Sequence, residues 1–247
     1  MNCISLGYFC SVSSELERYG LRDRSYPFDW LISDFSGVIS AMEDGFQDLW
    51  KYDCWAQSVA NRSFYKHLKY GFEFYHDFDE FRPLCEQLGE VRGKFDRRIR
   101  RFFSAIHEPT LFIRYISDEQ QTDGVSDELR WIEENYDRII KLLKSYNSEN
   151  DILYIANNGV VSEKIKIYHV EKDKNDTVAR YPFRKNAELN DYFSKLDHPA
   201  KEQNLKVYAK KARKKLISKI EKKLLSRIKR IYRKQYSARA GLLVRAY

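Results

Sequence analysis

The sequence predicts an α/β fold: a mostly parallel central sheet flanked by helices, with a long basic amphipathic C-terminal helix. Three observations predict it. Strand-length apolar runs stand at Asn2 to Leu6, Thr110 to Ile116 and Asp151 to Ala156. Patterns with helical periodicity lie between those runs, and strand and helix in alternation favour a parallel sheet. From Lys206 onward the chain carries 16 Lys and Arg against one acid, Glu221, with apolar residues at helical spacing. The preceding residues are therefore net acidic, and a natural boundary divides a domain at 1–204 from a basic helical tail at 205–247.

Each element has its own signal. Asn2 to Leu6 reads as a buried strand, and Cys10 to Tyr19 as a helix closed by Gly20, a residue suited to a left-handed C-terminal position. Ser33-Asp34-Phe35-Ser36 precedes a helical pattern through Val38, Ile39, Met42, Phe46, Leu49 and Trp50. Asp53 to His76 is aromatic-rich with strand or loop character, Phe72-Glu73-Phe74-Tyr75 partly alternating. Lys94 to Ile106 predicts a basic amphipathic helix ended by Pro109. Ser126 caps a predicted helix to Tyr146, and Lys164 to Val170 alternates apolar and charged residues like an edge strand. Tyr181 to Pro199 is weakly patterned.

In parallel sheets chemistry gathers beyond the carboxyl ends of the strands. Gly7 to Cys10, Arg114 to Asp118 and Asn157-Asn158-Gly159 all fall at such ends. Cys10 also stands at a predicted helix start, where unpaired N–H groups and the helix dipole favour a thiolate.

Composition narrows the rest. Of 247 residues, 43% are hydrophobic and 15% aromatic, which suits a packed globule. No apolar run approaches the roughly 18 residues of a membrane span, and the N-terminus does not read as a signal peptide. The four cysteines form no CxxC pair and have no histidine at zinc spacing. A reduced, cytoplasmic chain without a metal or cofactor is the expectation. Asp77-Phe78-Asp79 is only a weak DxD signal, and GxGxxG, P-loop, HExxH and GxSxG motifs are absent.

Ser5-Leu6-Gly7 followed by Cys10, then Tyr26-Pro27-Phe28-Asp29-Trp30, resembles a bacterial family of papain-like cysteine peptidase domains. The likeness continues in Tyr75-His76-Asp77-Phe78, Lys94-Phe95-Asp96-Arg97-Arg98 with Arg101-Phe102, and Leu111-Phe112-Ile113-Arg114. It covers roughly the first half of the chain and fades past about residue 160. The resemblance implies a Cys–His hydrolase, with Cys10 matching the nucleophile and His76 the base.

Such chemistry needs a thiolate, an imidazole that takes and returns a proton, and a polar group orienting that imidazole. The order Cys10 then His76 is papain-like. Asp29 is preferred over Asp77 as the orienting group, because Asp77 adjoins His76 and would point the other way in a strand. Backbone N–H groups at Cys10 and Ser11 are candidate oxyanion donors; nothing ties Asn157 or Asn158 to that site. Plainer readings stand beside these: a lone cysteine after a strand is often a small core residue, and Asp29 can simply accept backbone N–H bonds.

The predicted function is thus a thiol-dependent hydrolase or acyl transferase acting on an unidentified peptide or ester. The alternatives are a carbohydrate-related transferase or binding protein for a glycan-related substrate, and a non-catalytic scaffold. In the carbohydrate reading Arg97 and Arg98 clamp an anionic group as bidentate donors. His67, His107, His169 and His198 have no nameable partner. In the tail, Leu216, Ile217, Ile220, Leu224, Ile228 and Ile231 recur at helical spacing among Lys and Arg. A helix from about Leu205 to Tyr236 would extend about 48 Å. An anionic membrane surface, here the inner one, or docking on the acidic body is expected ahead of nucleic acid. Arg239 to Val244 adds a small apolar plug.

Overall fold

A computed structural model describes residues 1–243, with the side chains at 228 and 230–243 outside the description. The side chains of Ile228, Ile231 and the predicted plug at Arg239 to Val244 therefore lie outside the description. Residues Met1–Asn204 form one compact unit and Leu205–Tyr247 a second.

The first unit opens with β1 (Asn2–Ser5) and α1 (Ser11–Arg18), then β2 (Leu31–Ser33) and α2 (Phe35–Asp44). β3 (Trp55–Gln57), β4 (Tyr65–His67) and β5 (Phe72–Phe74) follow, and α3 (Leu84–Ile106) leads to β6 (Thr110–Tyr115). A hairpin of β7 (Gln121–Thr122) and β8 (Val125–Ser126) precedes α4 (Asp127–Glu134), α5 (Tyr136–Tyr146) and β9 (Asp151–Asn157). β10 (Ile167–Val170), α6 (Pro182–Lys185) and α7 (Ala187–Lys195) complete it; α8 (Lys201–Leu243) carries the chain into the second unit.

The central sheet has the order β1-β6-β9-β10 and every pairing is parallel. The predicted parallel sheet is present, and β10 is an edge strand. A second sheet, β2-β5-β4-β3, is antiparallel throughout. Because side chains alternate along a strand, the central sheet buries two faces. Ile4, Leu6, Phe112, Ile116, Tyr154 and Ala156 join α2 to α5 and the small sheet in one core. Cys3, Leu111, Ile113, Tyr115, Ile155 and Val170 join α1, α6 and α7 in the other.

Several boundaries differ from the sequence reading. The helix predicted from Lys94 starts ten residues earlier, behind Pro83, and buries Leu84, Gln87 and Val91. The helix predicted from Ser126 to Tyr146 is two helices meeting at Asn135. Ser126 does cap α4, its hydroxyl accepting the Leu129 N–H at 3.1 Å. The pattern predicted to run to Trp50 stops at Gly45, whose φ of +66° ends α2 in the left-handed region. The strand at Leu31–Ser33 carried no signal of its own.

Candidate functional site

The carboxyl edge of the central sheet is built on an arginine. Arg114 ends up wholly buried at the end of β6. Its guanidinium donates to both carboxylate oxygens of Glu128 at 2.8 and 2.7 Å. It also donates to the Leu6 carbonyl at 2.8 Å and to the Ser33 hydroxyl and carbonyl at 3.0 and 2.6 Å. Charge-assisted bonds of this kind are the strong ones, and here they tie the ends of β1, β2 and β6 to α4. Gly7 makes the approach possible. Its φ is +85°, and a Cβ there would lie 2.2 Å from the Ser33 hydroxyl and 3.0 Å from Arg114 Nη1. The Ser5-Leu6-Gly7 element thus has a packing reason, with Ser5 Oγ accepting the Gly7 N–H at 3.2 Å.

Tyr8 and Cys10 follow at this edge. The Tyr8 hydroxyl has Glu119, Ser117 and Thr177 as hydrogen-bonding neighbours, and burial pushes its pKa up. Cys10 caps α1, its carbonyl accepting the Ser14 N–H at 3.0 Å. The Cys10 thiol is half-buried. Burial raises its pKa, its own backbone N–H opposes that, and the Asp176 carboxylate raises it further. The expectation that the helix start favours the thiolate is corrected: desolvation outweighs the N–H groups here.

The three predicted strand ends do converge. Tyr115 donates to Asn157 Oδ1 at 2.6 Å, and Asn157 Nδ2 donates to Asp118 Oδ1 at 3.0 Å and the Thr177 carbonyl at 2.8 Å. Asn157 therefore fastens β6, β9 and the loop after β10 together.

The other predicted residues lie elsewhere. Asp29 is fully buried; its Oδ2 accepts from Arg22 Nη1 at 2.7 Å and the Tyr26 N–H at 2.9 Å. Burial raises its pKa, with Arg22 opposing. His76 is exposed in the loop after β5. Among the described residues no hydrogen bond joins Cys10, His76 and Asp29 to one another. The orienting role expected of Asp29 is thus not formed, because Arg22 and the Tyr26 backbone hold the carboxylate. Asp77 pairs with Lys94. Arg98, half-buried with its guanidinium 4.8 Å from the Phe95 ring, faces Asp77 and Asp29, and burial lowers its pKa. Arg97 is exposed. The two arginines therefore do not form one clamp, as neighbours on a helix point about 100° apart. The segments around Asp29, Asp77 and Arg98 instead meet in one buried charge cluster, where Asp29 Oδ1, Asp77 Oδ2 and Arg98 Nη1 lack protein partners.

A cleft of about 420 Å³ opens beside Tyr8, with Tyr75, Trp131, Lys66, Glu73 and Glu119 in its wall. The sequence reading missed it, since its residues come from distant segments with no shared spacing. Among the described residues no group of three or more His, Cys, Asp or Glu could hold a metal ion. The remaining histidines have structural partners: His67 stacks on Tyr70 in the core, and His169 Nε2 lies 2.7 Å from the Val160 carbonyl.

Residues 1–148 match the family model described as "Putative papain-like cysteine peptidase (DUF1796)", and the chain belongs to that family. A relative, "Uncharacterized protein R408" of Acanthamoeba polyphaga mimivirus, is 27% identical over 174 residues, which is 62% of this chain and 77% of the relative. That relative is viral, so the expected bacterial restriction has no support. No solved structure matches the chain.

Proposed function

We propose that the protein is a thiol-dependent hydrolase or acyl transferase with Cys10 as its nucleophile. One observation carries this reading: in a chain of this family, Cys10 stands at the start of α1, beyond the carboxyl end of β1. The thiolate adds to an amide or ester carbonyl, and N–H groups at the start of α1 face the developing oxyanion. The carbon–nitrogen or carbon–oxygen bond then breaks, and the leaving group takes the proton that the thiol gave up. Water, or an acceptor amine or hydroxyl, resolves the thioester. His76 is the proposed proton carrier. Its exposed ring has no hydrogen bond among the described residues, and catalytic bonds often close only around substrate. Asp29 serves the fold in this scheme.

The test is acylation by a p-nitrophenyl ester, read by peptide mass spectrometry between pH 6 and 9. An acyl adduct on Cys10, absent in Cys10→Ser and slowed in His76→Ala, supports the reading. Equal ester turnover by folded Cys10→Ser overturns it.

We also propose that α8 lies on anionic lipid. Leu216, Ile217, Ile220 and Leu224 are each about half exposed. Lys215, Lys219 and Lys222 recur on another face at helical spacing. That is the pattern of an interfacial helix. Among the described residues no helix is long and apolar enough to cross a membrane.

A further inference from the structure

The small antiparallel sheet carries a second cleft, of about 410 Å³, that shares no residue with the one beside Tyr8. It lies where the edge strand β3 and its neighbour β4 meet the segment entering α3. Aromatic rings dominate its wall. Trp55 and Tyr65 are buried, whereas Tyr52 is 60% and Phe81 87% exposed. Single apolar side chains on a surface need no explanation, but exposed rings gathered at one concavity mark a binding cleft. The Trp55 ring is fixed in place: its N–H donates to the Leu49 carbonyl at 3.0 Å, and the Phe74 ring lies 4.8 Å away. The volume falls in the usual range of small-ligand clefts, roughly 300–1,000 Å³.

The Tyr65 hydroxyl points to a ligand. Tyr65 is 4% exposed, and its ring packs 4.6 Å from that of Phe78. A buried tyrosine hydroxyl ordinarily finds a hydrogen-bond partner. Among the described residues this one has none, yet it is not sealed inside the core. Its electrostatic neighbours include Tyr52 and Arg62, both in the cleft wall, so the hydroxyl end reaches the cleft. Further polar groups of the wall are unspent. Gln57 Nε2 donates to the Arg62 carbonyl at 2.5 Å, which leaves Gln57 Oε1 free. Arg62 and Glu80 are exposed, and neither forms an ion pair among the described residues. Arg82 is committed, donating to the two Glu90 oxygens at 3.3 and 3.1 Å.

The class of ligand follows from what is left free. Arg62 donates, Glu80 and Gln57 Oε1 accept, and the Tyr65 hydroxyl can do both. The free charges are one of each sign, so the wall selects neither a cation nor an anion. A proline-rich peptide would use the rings, but proline lacks an N–H, and the free acceptors would go unused. A pyranose meets both demands. Its C–H faces pack on the negative faces of aromatic rings, and each of its hydroxyls donates and accepts. We infer that this cleft binds a neutral saccharide, its ring lying on Tyr52 and Phe81 and its hydroxyls bonded to Tyr65, Gln57, Arg62 and Glu80. Arg97 and Arg98 take no part, and the site does not depend on Cys10 being a nucleophile.

The experiment is saturation-transfer NMR on the full-length chain, with maltose, cellobiose, lactose and N,N′-diacetylchitobiose as probes. The expected result is transfer to the ring protons of at least one probe, with its Kd raised several-fold by Phe81→Ala and by Tyr65→Phe. Because Tyr65→Phe removes no internal hydrogen bond, its thermal midpoint should equal that of the wild type, which assigns the lost affinity to the ligand. Transfer to none of these sugars overturns the site. So does a sugar whose binding is unaffected by Tyr52→Ala, Phe81→Ala and Tyr65→Phe. Adenosine or an oligoproline peptide that binds more tightly than every sugar, and is displaced by the same substitutions, overturns the saccharide assignment. Cys10→Ser should bind the sugar as the wild type does, so failure of the proposed chemistry and failure of this site are read separately.

Discussion

Cys10 is held back by two effects that experiment can separate. Burial disfavours its thiolate at any salt concentration, whereas Asp176 acts through charge and is screened. Both raise the folded-state pKa, so removing the negative charge must lower it. Asp176→Asn is expected to shift the midpoint of iodoacetamide alkylation at Cys10 to lower pH, measured by peptide mass spectrometry against Cys85, which is exposed. An unmoved midpoint would remove Asp176 as a neighbour of consequence. Asp29 makes the complementary case. Its side chain is 0% exposed and that of Arg22 7%, so Asp29→Ala removes the buried partner of Arg22 and leaves that cation only the longer pair to Glu17 at 3.5 Å. A loss of about 3–5 kcal/mol is expected in urea unfolding at pH 7. A variant of unchanged stability that had lost only turnover would restore the catalytic reading. The position of Cys10 was legible because it depends on a strand end and a helix start that are local in sequence. The commitment of Asp29 to Arg22 and of Asp77 to Lys94 was not, because pairing partners in a folded core leave no spacing pattern.

At the scale of elements, local signals explain both what was read and what was missed. β6 and β9 announced themselves as apolar runs because both faces of the sheet are covered. The break at Asn135 stayed hidden because Leu129, Ile132, Ile139 and Leu143, all buried, keep a helical period straight through it. The first turns of α3 were obscured by Gly89 and Gly93, which lower helix propensity although Leu84 and Val91 are packed. The contact between α2 and the small sheet is another feature that no periodicity reveals. Gly37 lies on α2, and a Cβ there would stand 1.8 Å from the carbonyl oxygen of Tyr70 and 2.5 Å from its carbon. Backbone cannot yield as a side-chain tip does. In an open helix Gly→Ala stabilises by about 1 kcal/mol. Here Gly37→Ala is expected to destabilise by about 1–3 kcal/mol, the usual cost of overpacking, and to lower the thermal midpoint. A stabilised variant would show that α2 does not pack as closely as described.

At the scale of the whole molecule, the division of charge shapes what the chain can meet. The tail from Lys206 holds 16 basic residues and one acid, while the cleft beside Tyr8 is acidic. A basic amphipathic helix is drawn to anionic headgroups at about 1 kcal/mol per Lys or Arg near the surface, and its apolar side chains then enter the interface. Those two contributions predict different sensitivities. Sedimentation of the full-length chain with phosphatidylglycerol vesicles is expected at low salt, with little sedimentation on phosphatidylcholine alone. Ile220→Glu with Leu224→Glu should release the protein at low salt without removing one basic residue, because the apolar stripe is lost and two negative charges enter it. Lys215→Gln, Lys219→Gln and Lys222→Gln should weaken binding and flatten its dependence on salt. If the double glutamate variant sediments as well as the wild type, the apolar face is not at the interface and α8 acts as a charged arm. If neither lipid retains the protein even at low salt, the tail is not a membrane element. Protection of Ile220 and Leu224 amides from hydrogen exchange in lipid-free protein would then assign it to intramolecular docking.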